Sequence, residues 1–265
     1  MTLDPRWQQT VWVTADQYLS DILAREQVDT GILSPVRAVQ TTLTPLLTTW
    51  ANRFLLTVHP SGSFMKGTAV LSGTDIDLFI SLSHDTPETL QQIHETLFNK
   101  LSENGYSPKR QNVSLNVRVG EYSVDLVPGK RQNNLSLDHS LYKHKTGGWT
   151  KTNVATHIST VIAGGRQQET RLLKLWRNQK NLDFPSFYLE LAVIKALQGS
   201  FQKSIESRVH TVFRFLQNSI ENTRFVDPAN TNNVLSDDLT QTAKKALSCA
   251  AGEALAAPYW KDIIR

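Results

Sequence analysis

The chain has 265 residues, 40% of them hydrophobic and 20% charged: an ordinary soluble globular composition, long enough for one large domain or two modest ones. The formal charge of +4 is mild and suits a polyanionic partner, nucleoside triphosphates or RNA equally well. No apolar run approaches the roughly 20 residues that span a bilayer, and the start, Met1-Thr2-Leu3-Asp4-Pro5, lacks a signal pattern, so the expected location is cytoplasmic with no membrane partner. Cys249 is the only cysteine, which excludes an internal disulfide and a multi-cysteine zinc site; its Ala-rich helical surroundings predict a buried, inert thiol. The seven histidines show no local ligand spacing, so no zinc site is expected.

In chain order, Trp12, Tyr18, Leu19, Ile22 and Leu23 recur at helical spacing and predict an amphipathic helix over residues 7–26. Ser34-Pro35 starts a second helix, expected to run to about Asn52. A short strand over 54–59 then delivers the chain to Gly62-Ser63. The glycine permits a sharp turn, and Ser63 starts a short helix whose free N–H groups and hydroxyl favour an anion. Residues 75–81 form an apolar run read as a strand, which points Asp75 and Asp77 the same way. Two adjacent carboxylates repel and are costly to bury unless a cation sits between them. A hard divalent ion such as Mg2+ meets that need and keeps positions open for phosphate oxygens.

Thr86-Pro87 is expected to cap a helix reaching Asn104, ended by Gly105. Leu115, Val117 and Val119 alternate with polar residues, Gly120-Glu121 makes a turn, and 122–127 alternates again, with Tyr122, Val124 and Leu126 on one face and Asp125 on the other. An isolated acid in an apolar strand needs a partner: an Arg or Lys, or a metal already held by Asp75 and Asp77. Residues 130–148 are polar, basic and without apolar periodicity, and read as a loop of functional length carrying His139, Tyr142, Lys143, His144 and Lys145. Such basic residues are either solvated or, beside a site, in contact with phosphate or nucleic acid.

Beyond Trp149 helices replace strands, expected over 152–162, 166–179, 186–197, 204–220 and 239–255. Arg171 and Lys174 share a face opposite much of the apolar stripe, which composition alone reads as wetted surface; Ser186 reads as an N-cap and Tyr188 as core. Phe225-Val226-Asp227-Pro228-Ala229-Asn230 and Asn232-Asn233-Val234 form a turn-rich loop. Strands followed by helices predict an α+β chain of two domains, a sheet-bearing one over 1–150 and a helical one over 151–265, with a cleft between them.

The ordered combination Gly62-Ser63-Phe64-Met65-Lys66-Gly67-Thr68 and Asp75-Ile76-Asp77 resembles the signature of DNA polymerase beta-like nucleotidyltransferases. Its form is similar to archaeal-type CCA-adding enzymes, oligoadenylate synthetases and bacterial cGAS/DncV-like nucleotidyltransferases. The resemblance implies a mixed sheet flanked by helices, followed by a helical domain. It implies that Asp75, Asp77 and Asp125, the last in Asp125-Leu126-Val127-Pro128, are the catalytic acids holding two Mg2+ ions, with Mn2+ as a substitute. Nucleotide contacts are implied at Gly62, Ser63, Lys66, Thr152, Lys174, Ser186 and Tyr188. The implied activity is template-independent joining of NTPs (ATP among them) or dNTPs into a cyclic or linear oligonucleotide with release of pyrophosphate. For that product the resemblance implies the role of an antiviral signal read by an effector protein. The alternatives are addition to an RNA 3' end, with a nucleic-acid acceptor, and nucleotidylation of a protein or small molecule. Because CCA-adding enzymes carry further RNA-binding domains, 265 residues favour the oligonucleotide synthase.

Overall fold

The computed structural model describes residues 13–73 and 75–265. The expected N-terminal helix is present as α1 (Ala15–Arg25), where the Thr14 side chain accepts from the Gln17 N–H; its proposed first part, residues 7–12, lies outside the described residues. α2 (Pro35–Ala51) begins on its proline, as the sequence predicts, and β1 (Leu55–Pro60) leads into α3 (Gly62–Lys66). β2 (Ile76–Leu82) follows, then α4 (Leu90–Glu103). The cap of α4 is Thr89, not Thr86-Pro87: Thr89 and Gln92 exchange side-chain to backbone hydrogen bonds and satisfy two end N–H groups at once.

Next come β3 (Lys109–Arg110), β4 (Leu115–Val119) and β5 (Tyr122–Arg131). The loop expected over 130–148 is instead largely a hairpin, β6 (His139–Lys143) and β7 (Gly148–Thr152), continuing the sheet from the far end of β5. Its inward side is built from His139, Leu141 and Thr152, mostly polar residues, so no apolar alternation announces it. The helical part is α5 (Val154–Gly164), α6 (Gln167–Gln179), α7 (Ser186–Ala196), α8 (Ile205–Ser219) and α9 (Gln241–Ala256). Between α8 and α9 the turn-rich segment folds as a small hairpin, β8 (Val226–Asp227) and β9 (Asn230–Val234).

The sheet order is β1-β2-β5-β4-β3, with β2 and β5 parallel and the other pairs antiparallel. Period-two alternation sends Ile76, Leu78 and Ile80, with Val124 and Leu126, to one face, where they form a core with Val39, Leu43 and Leu47 of α2 and Ile93, Leu97 and Leu101 of α4. Asp77 and Asp125 are left on the opposite face. The second core joins α6, α7, α8 and α9. α1 belongs to it through Leu19, Ile22 and Leu23, although a division at residue 150 places it with the sheet. Cys249 is exposed, contrary to expectation, because α9 turns Leu247, Ala250, Ala251 and Ala254 inward and leaves position 249 on its outer side. Among the described residues no helix is long and apolar enough to cross a membrane.

Candidate active site

Parallel pairing sets Asp77 directly across from Asp125, in the same register that pairs Ile76 with Val124 and Leu78 with Leu126. Asp75 stands one step before β2, exposed. The three acids feel one another. Burial first, then Asp125, raises the Asp77 carboxyl to about 6; Asp75 adds to this, while Lys66 and Lys174 oppose it. Asp125 is raised by burial, with Asp75 adding and a hydrogen bond from Asn116 opposing. Asp125 Oδ1 accepts from Asn116 Nδ2 at 2.8 Å and Gln111 Nε2 at 3.1 Å, both neutral donors.

The turn into α3 is shaped around Asp77. Gly62 has φ +56°, and a Cβ there would collide with the Asp77 carboxylate, so this position needs glycine for both its backbone and its lack of a side chain. The Ser61 N–H donates to the Asp77 carbonyl at 2.8 Å, tying the turn to the strand. Ser63, half-buried in the first turn of α3, follows at once.

On the helical side lies a buried quartet. Lys66 Nζ donates to Glu190 Oε2 at 2.8 Å, Thr68 Oγ1 to Glu190 Oε1 at 2.6 Å, and Lys174 Nζ to both Thr68 Oγ1 at 3.0 Å and Glu190 Oε1 at 3.1 Å. Lys174, read from composition as wetted surface, is only 3% exposed, because α6 turns it toward α7. Two ammonium groups against one carboxylate leave an excess positive charge. Lys66 also lies over the Phe187 ring at 4.3 Å. Glu190 escapes the sequence reading. The usable signal is that it is a lone acid among Leu189, Leu191 and Ala192, the same signal that marks Asp125.

Of the remaining candidates, Ser186 opens α7 without capping it, and its Oγ accepts from Arg177 Nη1 at 3.0 Å. Thr152 ends β7, buried, and the cap of α5 is Asn153. Tyr188 takes the core alternative: its ring packs edge-on to Phe184 and Phe225, and burial pushes its hydroxyl up to about 12. In the late hairpin Asp227 is buried and accepts from the Ala229 N–H; its Oδ1 lies 2.7 Å from His157 Nε2 of α5, whose ring meets Phe187. This hairpin braces the helices beside the quartet.

The chain matches no family model. Over 159 residues it is 28% identical to the cyclic AMP-AMP-AMP synthase of Escherichia coli (strain MS 115-1), a stretch covering 53% of this chain and 50% of that protein, so the match spans about half the length of the curated relative. In three dimensions it is similar to E. coli MS115-1 CdnC with ATP, with a TM-score of 0.69 at 23% identity over 93% of this chain and 91% of that one. It is also similar to the Cid1 poly(U) polymerase bound to Mg 3'-dATP, with a TM-score of 0.67 at 12% identity over 92% and 95%. The chain has the polymerase beta-like nucleotidyltransferase fold. Within that fold the sheet supplies the acids, α3 the turn beside them and Lys66, α6 Lys174, and α7 the Glu190 that holds both lysines.

The donor set fits a divalent cation. Among the described residues none of the three aspartates is ion-paired, the nearby lysines being held by Glu190. Asp77 and Asp125, whose affinity for protons is raised, are short of positive charge, and the donors to Asp125 are neutral amides.

Proposed function

We propose that this chain is a metal-dependent, template-independent nucleotidyltransferase that joins NTPs or dNTPs into a cyclic or linear oligonucleotide with release of pyrophosphate. The observation that supports it best is the pairing of Asp77 with Asp125 across β2 and β5, beside a glycine turn shaped to the Asp77 carboxylate. Asp75, Asp77 and Asp125 would hold two Mg2+ ions, or Mn2+ in their place. When bound, the metal neutralises the aspartates, acidifies the attacking hydroxyl and stabilises the departing pyrophosphate.

The chain's own groups supply the rest. Asp125 Oδ1 is committed to Asn116 and Gln111, so Oδ2 is the oxygen free to accept the proton of the attacking hydroxyl, and its raised proton affinity suits that role. Ser63 offers a hydroxyl and Gly62-Ser63 offer unspent N–H groups to phosphate oxygens. Lys66 and Lys174 hold the excess positive charge that draws in the triphosphate. Ser186, its oxygen already engaged by Arg177, retains its proton to donate to phosphate, and Thr152 supports the lining from the end of β7.

Similarity to the cyclic AMP-AMP-AMP synthase favours free nucleotides as acceptors and a cyclic product; in this reading the product is a signal in antiviral defence, read by an effector protein in the cytoplasm. Similarity to a poly(U) polymerase keeps addition to an RNA 3' end as the second reading. The deciding experiment incubates the protein with all NTPs and dNTPs and Mg2+, without primer, and analyses products by mass spectrometry. Oligonucleotide products that fall at least about 100-fold in a folded Asp77→Asn variant are expected. A strict requirement for RNA 3' ends moves the assignment to the second reading, and undiminished incorporation by Asp77→Asn removes the aspartate centre from the reaction.

A further inference from the structure

A second cluster of ligand-type side chains lies away from the aspartates. His94 and Glu95 are adjacent on α4, and His144 follows β6 in the turn of the β6–β7 hairpin. One ligand atom from each lies within 4.8 Å of the others. The His94 and His144 rings stack with centroids 5.7 Å apart and planes 11° apart, and Tyr142 closes one side with its ring 5.5 Å from His94.

The telling group is His94. It is 0% exposed, yet neither ring nitrogen makes a well-formed hydrogen bond; the Ser114 backbone offers only a weak one. A buried imidazole normally satisfies its donor and its acceptor, and leaving both without good partners costs free energy unless something else binds there. Glu95 is engaged by Arg110, through Nη2 to Oε2 at 2.6 Å and Nε to Oε1 at 3.3 Å. A carboxylate has about four lone-pair sites, so Oε1, which faces His94 Nδ1 at 3.9 Å, retains room for another partner. His144 is exposed at a turn, free to rotate onto an ion, while its backbone N–H is anchored to the Asn112 carbonyl at 2.7 Å.

We propose that His94, Glu95 and His144 form a transition-metal site, separate from the three aspartates, that binds Zn2+ and clamps the β6–β7 hairpin onto α4. Two imidazoles and one carboxylate are a donor set that Zn2+ takes with a fourth position left to water, whereas Mg2+ prefers all-oxygen ligands. The clamp joins sequence positions 50 residues apart, which is why no local histidine spacing announces it. It steadies the hairpin whose last residue, Thr152, leads into α5.

The test is calorimetric titration of the whole protein with Zn2+ in excess Mg2+, which occupies the aspartates, together with Co2+ as a spectroscopic substitute. One equivalent of Zn2+ is expected, with visible Co2+ absorption of the four-coordinate type. His144→Ala, at an exposed position, and Glu95→Gln should each weaken binding at least about tenfold while circular dichroism stays unchanged. Wild-type protein that binds no Zn2+ under these conditions overturns the proposal. So does affinity that His144→Ala leaves untouched.

Discussion

At the residue scale, Asp77 carries a cost until a cation reaches it. Its carboxyl stands near 3.8 in an unfolded chain and near 6 in the folded one, burial being the first cause and Asp125 the second. Below the unfolded value the group is protonated in both states and imposes nothing. As pH rises through about 6 the folded state is made to ionise in an unfavourable place, so the stability that the proton afforded is lost over that window. The loss is on the order of 1–3 kcal/mol, reduced by whatever water reaches the cleft. In chelator at pH 8, Asp77→Asn is therefore expected to be more stable than the parent by that amount, and the two should converge toward pH 4. Urea unfolding at both pH values checks this; a parent at least as stable as the variant at pH 8 shows that the acids are not strained.

At the scale of elements, the link between α3 and the α6–α7 pair is the buried quartet of Lys66, Thr68, Lys174 and Glu190. Removing one partner of a buried ion pair strands the other, which costs more than the pair itself contributes. Glu190→Gln leaves two buried ammonium groups without a carboxylate, and a destabilisation of about 3–5 kcal/mol is expected by chemical denaturation. Adding Lys66→Met to Glu190→Gln should recover part of it, because losing Lys66 removes one of the stranded charges; a double variant no better than Glu190→Gln argues against charge as the cause. The acids were legible in the sequence because a strand's period of two is local: Asp75-Ile76-Asp77 and Asp125 declare their faces by counting. Glu190 was not, and Lys174 was reached only through the family resemblance, since helical periodicity says which residues share a face but not which face another helix covers. The β6–β7 hairpin was missed for a related reason, its inward positions being polar. The turn at Gly62 was legible as a turn, but its contact with Asp77 depends on β1 and β2 meeting.

At the scale of the whole molecule, chain order misleads about α1. It precedes the sheet in sequence, yet Leu19 is fully buried in the helical core, the Tyr18 hydroxyl donates to the Ile264 carbonyl at 2.9 Å, and Arg171 of α6 donates to the Leu23 carbonyl at 2.7 Å. The helical core is thus closed by a segment that enters before the strands carrying the acids, and the chain crosses between the two cores after α1 and again after β7. Such threading makes the helical core depend on residues far from it in sequence. Leu19→Ala removes buried methyl groups where neither α6 nor α8 can easily close the gap, and a loss of about 2–5 kcal/mol is expected. Hydrogen exchange locates the damage: amides of α6 and α8 should lose protection first, while those of β2 and β5, packed against α2 and α4 in the other core, retain theirs. Equal loss of protection in both cores would mean that the quartet between α3 and α7 couples them into a single cooperative unit.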